Sequence, residues 1–361
     1  MSWTLDKILK EARRSGASDV HLIRGISPAV RVSGEIRLVD GDALDEETLR
    51  SMIEGLMNEK HREVFARDWQ LCFSRHWEGV GRFRASVYLH AGIPEMAIRL
   101  CETAVRQRAE LGLPPVIDEL ARLPNGLILI TGATGNGKTT TLNYLVDLIN
   151  RTRRVKIVTI EDPVEYVHRN HSSIVVQQEV YTDVPSFRQA LTHVLRQDPD
   201  VVVIGEMRDL ETVSTALTAA ETGHLVIATL HTPDAVQTIQ RIFSVFPHEQ
   251  QNTITYQLAN TLQAVLAQRL LPRADNKGLI LASEVCIATP AVRKRIRDGE
   301  PHLLFNDMQM GRKHQMQTLD ASLLELYQRG EIGYDVALSN AREPESIRQR
   351  STGTRGGTLE R

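Results

Sequence analysis

A chain of 361 residues suits two domains of ordinary size, each with its own core, and 42% hydrophobic with 24% charged residues is the balance of a soluble globular protein. A formal net charge of −2 excludes a protein that binds nucleic acid through bulk positive charge. The three cysteines, Cys72, Cys101 and Cys286, are scattered without a C-x-x-C pair, which excludes a disulfide framework and a cysteine zinc site.

In chain order, Leu5, Ile8, Leu9 and Ala12 share one helical face, with Gly16 as a stop. Short strand-like pieces follow at 19–23, 29–32 and 35–39, then helical stretches near 45–56 and 59–67. Strands are expected at 71–75 and 81–89, the second alternating Phe83, Ala85, Val87 and Leu89, and at 93–100. Residues 1–102 thus read as a small α+β domain. The L-G-L-P-P run within 103–117 breaks regular structure and marks an interdomain linker. From 118 the rhythm changes: apolar strands at 126–131, 155–160, 201–205 and 225–230 alternate with helices, the pattern of an α/β fold with a parallel sheet covered on both faces. Residues 290–298, 318–329 and 334–341 read as helices, completing a second domain over 118–345; 346–361 reads as a disordered tail. The first ten residues hold no apolar stretch of signal-peptide length, and nothing approaches the ~20 apolar residues of a membrane span. The expectation is a cytoplasmic protein that meets a membrane only peripherally.

Residues 132–139, G-A-T-G-N-G-K-T, match G-x-x-x-x-G-K-[ST] in full, after a predicted strand and before a predicted helix. Such a loop curls its backbone so that successive N–H groups face phosphate oxygens, and the following helix adds the partial positive charge of its N-terminus. The cradle runs through Gly132, Ala133, Thr134, Gly135, Asn136, Gly137, Lys138, Thr139 and Thr140. Lys138 is placed to bridge the β and γ phosphates of ATP, and the Thr139 hydroxyl to ligate Mg²⁺. The order G-x-x-G-x-G followed by Lys-Thr is not the dinucleotide spacing.

Phosphoryl transfer also needs a carboxylate that organises metal and water. Two acidic clusters stand at predicted strand ends: Glu161, Asp162 and Glu165 in I-V-T-I-E-D-P-V-E, and Glu206 after the apolar run 201–204. Each alone reads more readily as a solvated loop; together, after a P-loop, they point to catalysis. His224 and His231 flank the strand 225–230, either as γ-phosphate sensors or as satisfied polar groups at a sheet edge. His248-Glu249-Gln250-Gln251 is not a metal motif. Arg82, Arg84 and Arg99 form either a solvated basic face or a clamp on ATP, including ATP held by an adjacent subunit. With 5% aromatic residues and no basic-aromatic stripe, a nucleic-acid partner is not expected.

S-D-V-H-L at 18–22, G-V-G-R-F-R at 79–84, L-G-L-P-P at 111–115, the P-loop, T-I-E-D-P-V-E-Y-V-H at 159–168, D-P-D-V-V-V-I-G-E-M-R-D at 198–209, E-T-G-H-L at 221–225 and A-T-L-H-T at 228–232 resemble the secretion ATPase superfamily over roughly residues 3–345. The branch they resemble most is the type IV pilus retraction ATPases (PilT-like). That resemblance implies a PAS-like N-terminal domain, a RecA-like P-loop NTPase domain, a homo-hexamer, ATP and Mg²⁺ as cofactors, an inner-membrane platform protein as partner, and sister ATPases. It implies Glu165 as general base, Glu206 as the Walker B carboxylate acting on Mg²⁺ and water, His224 and His231 as the histidine pair, and Arg82, Arg84 and Arg99 in nucleotide sensing or intersubunit contact. Assembly ATPases carry a tetracysteine zinc module in the C-terminal half, where this chain has only Cys286. Residues 289–300 resemble the retraction-specific A-I-R-N-L-I-R-E motif but depart from it at Lys294, Arg295 and Asp298, and Asn136 stands where serine is usual. The function implied is ATP-driven pilus retraction and twitching motility; the alternative is an accessory or nucleotide-gated paralogue in pilus or type II secretion machinery that depends on a sister motor.

Overall fold

Strand-like alternation in the first hundred residues becomes a six-stranded sheet in the computed structural model, which describes residues 3–32, 34–102 and 104–352. The strands are β1 (Asp19–Leu22), β2 (Ala29–Val32), β3 (Glu35–Leu38), β4 (Gln70–Trp77), β5 (Gly81–His90) and β6 (Ile93–Leu100), in the order β3-β2-β1-β6-β5-β4 with every neighbouring pair antiparallel. Phe83, Ala85 and Val87 alternate into a core shared with Phe73, Met96 and Ile98 and with the apolar faces of helices Leu5–Arg14 and Glu46–Leu56. The helix starts are capped: Thr4 accepts from the Lys7 amide, Asp45 from the Thr48 amide, and Asn58 forms a capping box with His61.

The second sheet has seven strands: β7 (Gly126–Thr131), β8 (Lys156–Glu161), β9 (Ile174–Glu179), β10 (Val201–Ile204), β11 (Leu225–Leu230), β12 (Leu262–Pro272) and β13 (Leu279–Ile287), ordered β13-β12-β7-β11-β10-β8-β9. The pairs β10–β11, β11–β7 and β7–β12 are parallel, and β12–β13 is antiparallel, so the sheet is mixed rather than wholly parallel. β7, β10 and β11 are buried along their whole length, as strands covered on both faces must be. On one face Ile128, Ile130, Val201, Val203 and Ile227 pack with Leu142, Leu145, Val146 and Ile149, the inward stripe of helix Lys138–Thr152.

The chain divides into two compact units, one of Met1–Val105, Thr159–Arg169 and Val176–Ala190, the other of Arg106–Val158, Asn170–Val175 and Leu191–Arg361. The acidic cluster around Glu161 and Glu165 therefore groups with the first unit, whereas a cut at a linker over 103–117 assigns it to the second. The segment read as a disordered tail from residue 346 is helical over Pro344–Thr352, where Ile347 joins a small core with Leu271, Leu323, Ile332 and Ala337; the rest of it, 353–361, lies outside the described residues. None of the helices among the described residues is long and apolar enough to cross a membrane.

Candidate active site

In a parallel sheet all strands deliver their C-terminal ends to one edge, and that edge collects the ligand-binding loops. Here β7, β11 and β10 are adjacent and in register, Thr131 opposite Leu230 and Ile204 opposite Ala228. The residues that follow these strands, the P-loop from Gly132, His231 and Glu206, therefore emerge side by side. The structure brings together Lys138, Thr134, His231 and Glu206.

The P-loop needs its glycines. Gly132, Gly135 and Gly137 have φ of +139°, +84° and +79°, a region L-residues rarely enter. At Gly132 space is also closed: a Cβ there would stand 2.4 Å from the Gln268 carbonyl oxygen of β12. Asn136 contributes more than backbone, because its Oδ1 accepts from the Leu270 amide at 3.2 Å. β7 ends opposite Ala267, so Leu270 lies beyond its ladder, and the P-loop side chain supplies the acceptor.

Lys138 is buried and donates to the carbonyls of Gly132 (2.8 Å) and Ala133 (3.0 Å). Its Nζ lies 3.3 Å from Nδ1 of His231, and Thr134 Oγ1 lies 3.4 Å from the same nitrogen. On the other side of the ring, Nε2 of His231 is 2.9 Å from Oε1 of Glu206, whose second oxygen accepts from Arg208 at 2.7 Å. An ammonium donor at one ring nitrogen and a carboxylate at the other fix the tautomer with hydrogen on Nε2. Burial lowers the pKa of Lys138, with Glu206 opposing. For Glu206, burial pushes upward, but the bonds from Arg208 and His231 outweigh it and hold the carboxyl below its ordinary range.

His224 does not join this group in its own chain. It precedes β11, at the N-terminal end where Gly126 donates to its carbonyl, so a strand of six residues, ~20 Å at about 3.3 Å per residue, separates it from the P-loop edge. Its Nδ1 instead lies 3.0 Å from the Ala219 carbonyl, tying off the end of helix Leu210–Glu221. Pairing His224 with His231 as nucleotide contacts on one P-loop is thus corrected by strand direction.

The first unit carries the other acidic group. Glu165 Oε1 accepts from Arg84 at 3.0 Å. Arg82 donates through Nε to the Val164 carbonyl (2.7 Å) and through its terminal nitrogen to Ser74 Oγ and to Glu179 Oε2 (3.1 Å). Arg99 pairs with Asp19 at 2.9 Å. Arg82, Arg84 and Arg99 are thus each engaged with a carboxylate of this unit. Glu161 is 4% exposed, accepts from Thr159 (2.6 Å) and Gln177 (3.0 Å), and is pushed up to about 7, chiefly by burial and further by Glu165. Glu179, buried at the end of β9, escaped the sequence reading: no motif spacing marks it, and Ser74 and Arg82, two of its partners, lie about a hundred positions away.

The family described as "Type II/IV secretion system protein" matches residues 96–318. The chain is 39% identical over 343 residues to the type IV pilus retraction ATPase PilT of Pseudomonas aeruginosa, covering 95% of this chain and 99% of that one. It is 38% identical, also over 343 residues, to the type IV pilus ATPase PilU of the same organism, covering 95% and 90%. The crystal structure of the pilus retraction motor PilT with bound ADP superimposes with a TM-score of 0.89 at 42% identity, over 96% of this chain and 100% of that one.

Proposed function

Since this chain belongs to the type II/IV secretion system protein family and is an ATPase of that family, we propose that it is the hexameric, magnesium-dependent motor that drives type IV pilus retraction. The observation that supports this reading is the array at the C-terminal edge of the sheet: Lys138 and Glu206 held from two sides by His231, beside a loop that turns at three glycines of positive φ.

The residues suit ATP with magnesium. Magnesium takes oxygen ligands and is held through the nucleotide's own phosphates with one or two protein groups, here one hydroxyl and one carboxylate. Thr139, in the first turn of the helix after the P-loop, and Glu206 fill those two roles. Magnesium, when bound, neutralises charge on the phosphate oxygens. Lys138 leaves the Gly132 and Ala133 carbonyls for the β and γ phosphates, and the amides of Gly132 to Thr140 bind phosphate oxygens. His231 holds Glu206 in its orientation and senses the γ-phosphate through Nδ1. Glu165 takes the proton of the attacking water as general base, while Arg84 keeps its carboxylate aimed. Arg84 and Arg99 also serve a nucleotide bound by a neighbouring subunit; Arg82 is committed to Val164, Ser74 and Glu179. Turnover then moves the N-terminal domains and works on an inner-membrane platform protein from the cytoplasmic face.

Near-equal identity to PilT and PilU favours one second reading, an accessory paralogue that works beside a sister motor. Steady-state phosphate release by the purified protein, with a chromosomal deletion scored for surface pili, tests both. Autonomous turnover with excess fibres and no twitching in the deletion strain supports the retraction motor. Turnover with normal twitching in the deletion strain supports the accessory reading, and no turnover by the folded protein contradicts the motor and supports a nucleotide-gated paralogue that depends on a sister motor.

A further inference from the structure

A buried carboxylate costs free energy unless it is paired and its lone pairs are filled. Glu179 is 2% exposed, and its two oxygens accept from five donors: the Ser74 amide (3.2 Å), the Ser74 hydroxyl, Arg82 (3.1 Å), the Val164 amide (3.0 Å) and the Thr182 hydroxyl (2.9 Å). One of these contacts, together with a further bond from Arg82, grips the residue before Glu165. Glu179 takes the amide hydrogen of Val164, while Arg82, itself paired with Glu179, donates to the carbonyl of the same residue. The N–H and C=O of Val164 are thereby held by the two halves of one ion pair. The next side chain, Glu165, is fixed at its tip by Arg84, two positions along β5 from Arg82 and on the same face. The far side of the clamp is braced by Thr182, whose hydroxyl lies 3.1 Å from Nε2 of His61, a ring stacked on Phe73.

We propose that Glu179 is a positioning residue for hydrolysis: with Arg82 it fixes the backbone that carries Glu165, so that the Glu165 carboxylate meets the attacking water in one orientation. The proposal rests on Glu165 as the general base. It also assigns Arg82 to holding the base rather than to binding phosphate.

Glu179→Gln keeps the shape but replaces one acceptor oxygen with a donor and removes the charge that holds Arg82. Misplacing a catalytic group by about 1 Å can cost about 10²-fold in rate without weakening substrate binding. In the full-length protein, Glu179→Gln is expected to lower kcat for ATP about 10²-fold, to leave KM and the affinity for a fluorescent ATP analogue unchanged, and to melt cooperatively. Glu165→Gln is measured beside it. Loss of turnover in Glu165→Gln with wild-type kcat in folded Glu179→Gln overturns the clamp and spares the base. Wild-type turnover in Glu165→Gln overturns the base and the clamp with it. A raised KM at unchanged kcat in Glu179→Gln assigns the residue to binding and also overturns the proposal. If Glu179→Gln fails to fold, Arg82→Lys decides instead: its single ammonium cannot replace the fork that spans Val164, Ser74 and Glu179, so the same fall in kcat at constant KM is expected, and a wild-type kcat contradicts it.

Discussion

His231 reaches Glu206 through one ring nitrogen, 2.9 Å from its carboxylate, and turns the other toward Lys138, 3.3 Å away. The two charged groups that a P-loop ATPase needs are thus linked through a single imidazole that can bridge them only while neutral, with its hydrogen on the Glu206 side. A ligand that draws Lys138 away leaves Nδ1 with Thr134 Oγ1, 3.4 Å away, as its remaining neighbour.

The loop glycines are not equivalent, and this gives a first prediction. Gly132→Ala places a methyl against the Gln268 carbonyl as well as straining φ, whereas Gly135→Ala meets nothing within 4 Å and suffers only the strain of φ +84°. Gly135→Ala should cost on the order of 1 kcal/mol. Gly132→Ala should cost more and also abolish ATP binding, because either the loop or β12 must move. Thermal melting and nucleotide titration of the two variants check the order; equal melting points would contradict it.

Asn136→Ala should destabilise the protein by about 1 kcal/mol, because the Leu270 amide loses its acceptor where β12 runs past β7. Asn136→Asp keeps an acceptor and should recover most of the loss. Denaturant unfolding of the three proteins measures the difference.

Stability near Glu161 should depend on pH with a definite sign. Its pKa is raised from an ordinary 4.5 to about 7, so the folded state keeps a proton that the unfolded chain has lost. Its contribution is fully present below about 4.5 and is lost as pH rises toward and through about 7. Glu161→Gln, which carries no charge to bury, should therefore gain on wild type by on the order of 3 kcal/mol at pH 8, shrinking toward zero near pH 4.5. Melting temperatures across that range check it; a gain that grows toward low pH would contradict the assignment.

The parts of this site written as local patterns were legible in the sequence. The glycine spacing before Lys138, and Glu206 two residues after a four-residue apolar strand, depend on neighbours in the chain, and in the structure the loop follows β7 and Glu206 follows β10. His224 shows where flanking position misleads: both histidines border β11, but a parallel strand offers only its C-terminal end to the ligand edge, so only His231 arrives there. Strand direction was the signal that distinguishes them. Other features needed tertiary information. The sequence LQAVLAQRLLP of β12 is rich in good helix formers and becomes a strand because β7 and β13 pair with it on both sides. Glu179 ends the edge strand β9 without any motif, and only folding shows that it holds Val164.

The most direct test of the account is steady-state phosphate release from Mg-ATP by Glu206→Gln beside wild type, with ATP affinity measured on the same preparations. Gln keeps an acceptor for His231 but not the charge, so kcat should fall by at least about 10²-fold while nucleotide still binds. A folded Glu206→Gln protein that hydrolyses ATP at the wild-type rate would contradict it.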